Sequence, residues 1–143
     1  ARAETPTRDM VDGDRIGIID GDTVALPCER SARPCRSERV RLHNIDAPET
    51  SGARCEAEMV AGLRAKEALA RLLRGGPVVI HRCEPSTGRC HDPYGRTLAS
   101  LATSTGDVGQ ALIAAGLALP WQPGAAAREA RAAHWCGGGR NGR

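Results

Sequence analysis

The chain has 143 residues, a length that fits one domain with its own core, and its apolar share of 41% and charged share of 26% are ordinary for a globular protein. No run approaches the ~18 consecutive apolar residues of a membrane-spanning helix, and a net charge of +3 permits contact with nucleic acid without demanding it. Aromatic residues make up only 2%, so the core must be built from Leu, Ile, Val and Ala, with less apolar area per residue than usual.

Residues 1–13 are polar, carry Pro6 and show no period, which predicts a flexible N-terminal arm ahead of a single domain over 14–136. Asp12 and Asp14, in a Val-Asp-Gly-Asp echo of a later motif, read as solvated turn residues. Arg15–Ile19 and Thr23–Leu26 are β-branched runs separated by the turn Asp20-Gly21-Asp22. Pro27–Glu38 is a charged loop with Cys28 and Cys35 at its neck. Arg39–Ile45 alternates Val40, Leu42 and Asn44 against Arg41, His43 and Ile45, which predicts one strand with Arg41 on a single face.

A helix is predicted over Glu56–Arg74, with Met59, Leu63, Ala70 and Leu73 on its inward stripe and Gly75-Gly76-Pro77 as the stop. Lys66, the only lysine, falls in that stripe and reads as a snorkelling side chain rather than a catalytic one. Val78–Cys83 and Thr97–Ala102 are strands flanking the Cys83–Cys90 loop. Asp107 caps a helix carrying Val108, Ala111, Leu112 and Ala115, which ends at Gly116. Ala125–Trp135 is a weakly apolar helix, and 137–143 a disordered tail. The order predicts an α+β, mainly β, chain: a five-stranded OB-type Greek-key barrel with three α-helices.

Locality pairs the six cysteines as Cys28–Cys35, Cys83–Cys90 and Cys55–Cys136, the last stapling the C-terminal helix to the body. Zinc is the competing reading, with His91 beside Cys90, but structural zinc sites favour cysteines two to four residues apart and none are so spaced. Disulfides imply a secreted or periplasmic protein, with a membrane anchor upstream of Ala1 as an alternative.

Three segments carry chemistry: Asp20-Gly21-Asp22-Thr23, Arg41 through Glu49, and Asp92-Pro93-Tyr94-Gly95-Arg96. Carboxylates and arginines without an evident nucleophile suit metal-assisted attack of water on a phosphodiester. Asp22 and Asp46 are candidate ligands of one hard cation. Arg41 and Arg96 are candidate phosphate holders, and Glu49 a candidate base for the attacking water. Each motif alone also reads blandly, as a turn or a helix start.

Taken together, in this order and from about Arg15 to Trp135, the three segments resemble the staphylococcal nuclease (thermonuclease) family, in a branch that also carries Cys55 and Trp135-Cys136. The resemblance implies an OB barrel and calcium-dependent hydrolysis of DNA and RNA at the 5′ P–O bond, leaving 3′-phosphate ends. It implies one calcium ion on Asp22, Asp46 and the backbone carbonyl of Ala47, with Arg41, Glu49 and Arg96 catalytic and Tyr94 on the terminal phosphate. The chain departs from the family at Ala47, where a threonine is usual, and at Pro93, where a lysine is. The family's two base-pocket tyrosines are missing, with only Trp121 and Gln122 nearby, so Trp121 is the candidate base contact. Single-stranded substrates, no stable protein partner and a monomer are expected. The rival readings are a non-catalytic nucleic-acid-binding OB module and an extracellular structural domain.

Overall fold

Val24, Leu26, Val40 and Leu42 are almost wholly removed from water, and they come from neighbouring strands whose alternate residues face the same interior. The computed structural model describes residues 6–28 and 37–137. In chain order the elements are β1 (Arg8–Asp12), a 3-10 turn (Gly13–Arg15), β2 (Gly17–Asp20), β3 (Thr23–Leu26), β4 (Glu38–Leu42), β5 (Ile45–Asp46), α1 (Glu56–Leu73), β6 (Pro77–Arg82), β7 (Thr97–Thr103), β8 (Gly106–Asp107), α2 (Val108–Ala114), β9 (Leu119–Pro120) and α3 (Ala125–Cys136).

The main sheet runs β1-β6-β7-β4-β3-β2, with β8 added on β7, while β5 and β9 form a separate two-stranded ribbon. Among the described residues only β4 and β7 pair in parallel; every other named pair is antiparallel. The sheet curls into a half-barrel of the OB type, and three helices complete the expected α+β fold. Its two outer strands, β1 and β2, are consecutive in sequence and joined by the Gly13–Arg15 turn. The interior is aliphatic as composition requires, with Ile45, Leu69, Leu73, Ile80, Leu101 and Leu112 among the fully buried side chains.

Three expectations need correction. The first part of the chain is not all a loose arm: Arg8–Asp12 pairs residue for residue with Pro77–His81. Its side chains are mostly exposed, and its partner lies far along the chain, so no local pattern marks it. The strand expected through Ile45 stops at Leu42. A turn at His43-Asn44 then rotates Ile45 into the core and starts β5.

The inward face of α1 is also different. Met59 and Leu63 are 42% and 53% exposed, whereas Glu58, Gly62, Ala65, Leu69 and Leu73 are buried. A Cβ on Gly21 would stand 2.7 Å from the Ala65 Cβ, and one on Gly62 would stand 2.6 Å from the Glu49 carbonyl oxygen. The helix approaches the β2–β3 turn and the Pro48-Glu49 loop so closely that small residues must face them, and the larger ones turn outward.

Asp107 caps α2 as expected, its carboxylate accepting the Gln110 N–H. Asp12 and Asp14 are exposed, as read. Two expected disulfides are present, Cys55–Cys136 and Cys83–Cys90. The Cys28–Cys35 pairing and the tail beyond Gly137 lie outside the described residues. No helix is long and apolar enough to cross a membrane among the described residues.

Candidate active site

The turn between β2 and β3 lifts Asp22 to the end of the sheet, where the residue is only 6% exposed. Both carboxylate oxygens are engaged: Oδ1 accepts the Thr23 hydroxyl at 3.0 Å, and Oδ2 accepts the Ala47 N–H at 3.0 Å. That second bond ties the β2–β3 turn to the loop after β5. A further tie runs from the Thr50 hydroxyl to Asp20 Oδ1 at 2.8 Å. The segment from Asp46 to Thr50 is thereby fixed against the two aspartates of the turn.

Arg41 sits opposite Thr23 in the β3–β4 pair. Its guanidinium donates to the carbonyl oxygens of Leu42 and Ile45, anchoring it to the backbone. From there Nη1 stands 3.5 Å from Asp22 Oδ2 and Nη2 3.4 Å from Asp46 Oδ1. One arginine thus bridges the two carboxylates expected to share a cation.

Burial raises the Asp46 carboxyl above its ordinary range; Arg131 and Arg41 oppose that shift, while Asp22 adds to it. Glu49 shifts the same way. The residue keeps over a third of its surface in water, but partial withdrawal of its carboxyl raises its proton affinity, and Asp22, Asp20, Asp46 and Glu58 raise it further. Its backbone is held by Glu58, whose Oε2 accepts the Glu49 N–H at 3.0 Å.

Arg96 is not joined to this group. It precedes β7, which runs parallel to β4 with Leu98 opposite Arg41, so it enters beside the site. Its guanidinium is instead held by Asp92, Nε to Oδ2 at 2.6 Å, and lies 5.6 Å from the centre of the Tyr94 ring. Among the described residues no hydrogen bond or ion pair links Arg96 to Asp22 or Asp46. Tyr94 is 84% exposed. Trp121, 45% exposed, follows β9 and donates its backbone N–H to the Asn44 carbonyl, which sets it beside the ribbon that carries Asp46.

Three participants were not singled out in the sequence. Arg131 of α3 places Nε 2.9 Å from Asp46 Oδ2. Glu58 anchors the Glu49 loop, and Asp20 holds Thr50. Asp20 stood in plain view within the turn motif. Glu58 and Arg131 sit on helices where an isolated charge looks like solvated surface.

The donor set is oxygen-rich: Asp20, Asp22, Asp46 and Glu49 share one electrostatic neighbourhood. Their mutual repulsion is what a hard cation relieves, so the residues fit calcium or magnesium. No three His, Cys, Asp or Glu side chains among the described residues form a ready metal cage. A cation here would rely on two carboxylates, a carbonyl oxygen and water.

The family model of staphylococcal nuclease homologues matches residues 39–134, well over half of the chain. The chain belongs to that family. The match includes Arg41, Asp46, Glu49 and Arg96, while Asp22 lies before it and joins the group through its bonds to Ala47 and Arg41. A comparison with curated proteins gives no match. Membership makes the domain a nuclease-like or nucleic-acid-binding module.

Proposed function

We propose that the protein is a calcium-dependent nuclease that hydrolyses DNA and RNA, cutting the 5′ P–O bond and leaving 3′-phosphate ends. The observation that carries this reading is the arrangement of Asp22, Arg41 and Asp46 within ion-pairing distance, with the Glu49 carboxyl in the same field. Asp22, Asp46 and the Ala47 carbonyl would hold one calcium ion, which supplies positive charge to the equatorial phosphate oxygens.

Arg41, anchored to two carbonyl oxygens, presents its remaining N–H groups to the phosphate and opposes the charge that grows there. Glu49, made more basic by its acidic neighbours, accepts a proton from water as the water oxygen bonds to phosphorus. The P–O5′ bond breaks, and the departing oxygen takes a proton from solvent. Arg96 would turn from Asp92 to the same phosphate once substrate arrives. Tyr94 and Trp121, both open to solvent, suit contact with an unpaired strand, where stacking on a base contributes about 1–3 kcal/mol. The two disulfides, with no free cysteine among the described residues, favour a secreted or periplasmic setting. We take the working unit to be a monomer.

A second reading, a binding module without catalysis, draws on the tie between Arg96 and Asp92. Digestion of single-stranded DNA with calcium, with EDTA and with Glu49→Gln separates the two. The nuclease reading expects cleavage in the first condition only. Cleavage untouched by EDTA or by the substitution refutes the mechanism, and retention of the strand without cutting favours the binder.

A further inference from the structure

The two arginines on Asp46 are held in different ways. Arg41 belongs to a central strand and is fixed by backbone carbonyls. Arg131 comes from α3, a helix with no fully buried residue and no member in the hydrophobic core. Yet Arg131 makes the closer contact, 2.9 Å to Oδ2 against 3.4 Å to Oδ1, and its side chain is only 14% exposed. Its Nη1 also donates to the Gln122 carbonyl at 2.9 Å, which aims the guanidinium at the carboxylate. The Cys55–Cys136 bond ties the last residue of α3 to the residue that caps α1.

We propose that Arg131 is a positioning residue for Asp46: a resident counter-ion that occupies Oδ2 when no cation is bound and yields it when one binds, kept within reach by the Cys55–Cys136 staple. The inference rests on the nuclease reading, in which Asp46 is a cation ligand. A carboxylate at the rim of a cluster of like charges is held ready by a positive group from a neighbouring helix, while Arg41 stays behind for the phosphate. Arginine and cation compete for one oxygen, so the arrangement lowers cation affinity while it holds the Asp46 carboxylate in place.

The test titrates calcium chloride into the full chain by calorimetry, for wild type, Arg131→Ala, Arg131→Lys, the double change Cys55→Ser/Cys136→Ser, and all three changes together. The staple-free form should fold, because α3 contributes nothing to the core. Arg131→Ala is expected to bind calcium roughly threefold to tenfold more tightly, with Arg131→Lys close to wild type. The staple-free form should move in the same direction, and removing Arg131 from it should add nothing further. Without calcium, Arg131→Ala should melt about 1–4 °C lower than wild type. Unchanged or weakened calcium binding in Arg131→Ala overturns the counter-ion role and leaves the nuclease reading standing. Additive effects of arginine and staple overturn the role given to the disulfide. Wild type that neither takes up calcium nor cuts DNA overturns both proposals.

Discussion

The fully buried carboxylate of Glu58 accepts the backbone N–H of Glu49 at 3.0 Å, so a buried charge in the first turn of α1 sets where the proposed base stands. The same carboxylate takes Arg54 N and Nε, both at 2.9 Å, and Arg54 Nη2 at 2.7 Å. Replacing Glu58 with Gln keeps the shape but removes the charge that these donors face. Stability should fall by about 1–3 kcal/mol in a urea titration, and cleavage by about tenfold through displacement of the loop. A variant that loses stability yet keeps full turnover would separate the anchor from the chemistry.

Glu49→Gln should shift stability in the opposite direction. The charged Glu49 carboxyl is disfavoured by partial withdrawal from water and by four neighbouring carboxylates, so removing the charge relieves the fold. Without calcium the variant should melt about 1–3 °C above wild type, while cleavage drops by about 10²–10⁴-fold. Paired melting and single-strand digestion measurements check both.

Acid should weaken the fold through other groups. Glu84 is held down to about 2 from an ordinary 4.5 by the Ser86 and Thr87 hydroxyls and backbone amides. Glu38 is lowered by Arg82, assisted by Thr97. Burial would raise Glu58, but its bonds from Arg54 and Glu49 outweigh that and leave it lowered. Groups with depressed folded values contribute stability that is complete above their unfolded value and lost as pH falls through the folded one. Melting temperature should therefore decline below about pH 4.5. Glu84→Gln should flatten the part of that decline nearest pH 2.

Gly62→Ala tests the close approach of α1. Its Cβ would lie 2.6 Å from the Glu49 carbonyl oxygen and 2.9 Å from that of Pro48, so the loop must move. Overpacking of this kind costs about 1–3 kcal/mol, and kcat should fall with it. Gly62 lies in the interior of an α-helix, where alanine is normally the better residue, so a loss of stability isolates the steric contact.

The sequence conveyed most of the sheet and much of the site because both are written in short-range patterns. Val24, Val40 and Leu42 alternate with outward residues as β-strands require, and Asp22, Asp46 and Glu49 stand in or beside tight turns. What stayed hidden depends on distant partners. β1 is polar along most of its length and becomes a strand only because β6 offers a free edge. The inward face of α1 carries Gly62 and Ala65 instead of its largest apolar side chains, since proximity to Gly21 and Glu49 outweighs hydrophobic content. Arg131 looks like any charge on an alanine-rich helix until the Cys55–Cys136 bond shows where that helix lies. Arg96 shows the reverse limit: its motif is legible, but its salt bridge to Asp92 is a property of the folded turn.

A single stretch, Arg8 to Asp20, supplies both rims of the curled sheet. Cutting the chain just ahead of Gly13 would strip one rim and leave Pro77–Arg82 with unpaired amides along its length. Raw edges of that sort recruit whatever strand is nearest, including a second molecule. The strand Arg8–Asp12, plain in composition, thus covers an edge that would otherwise be open to a second molecule.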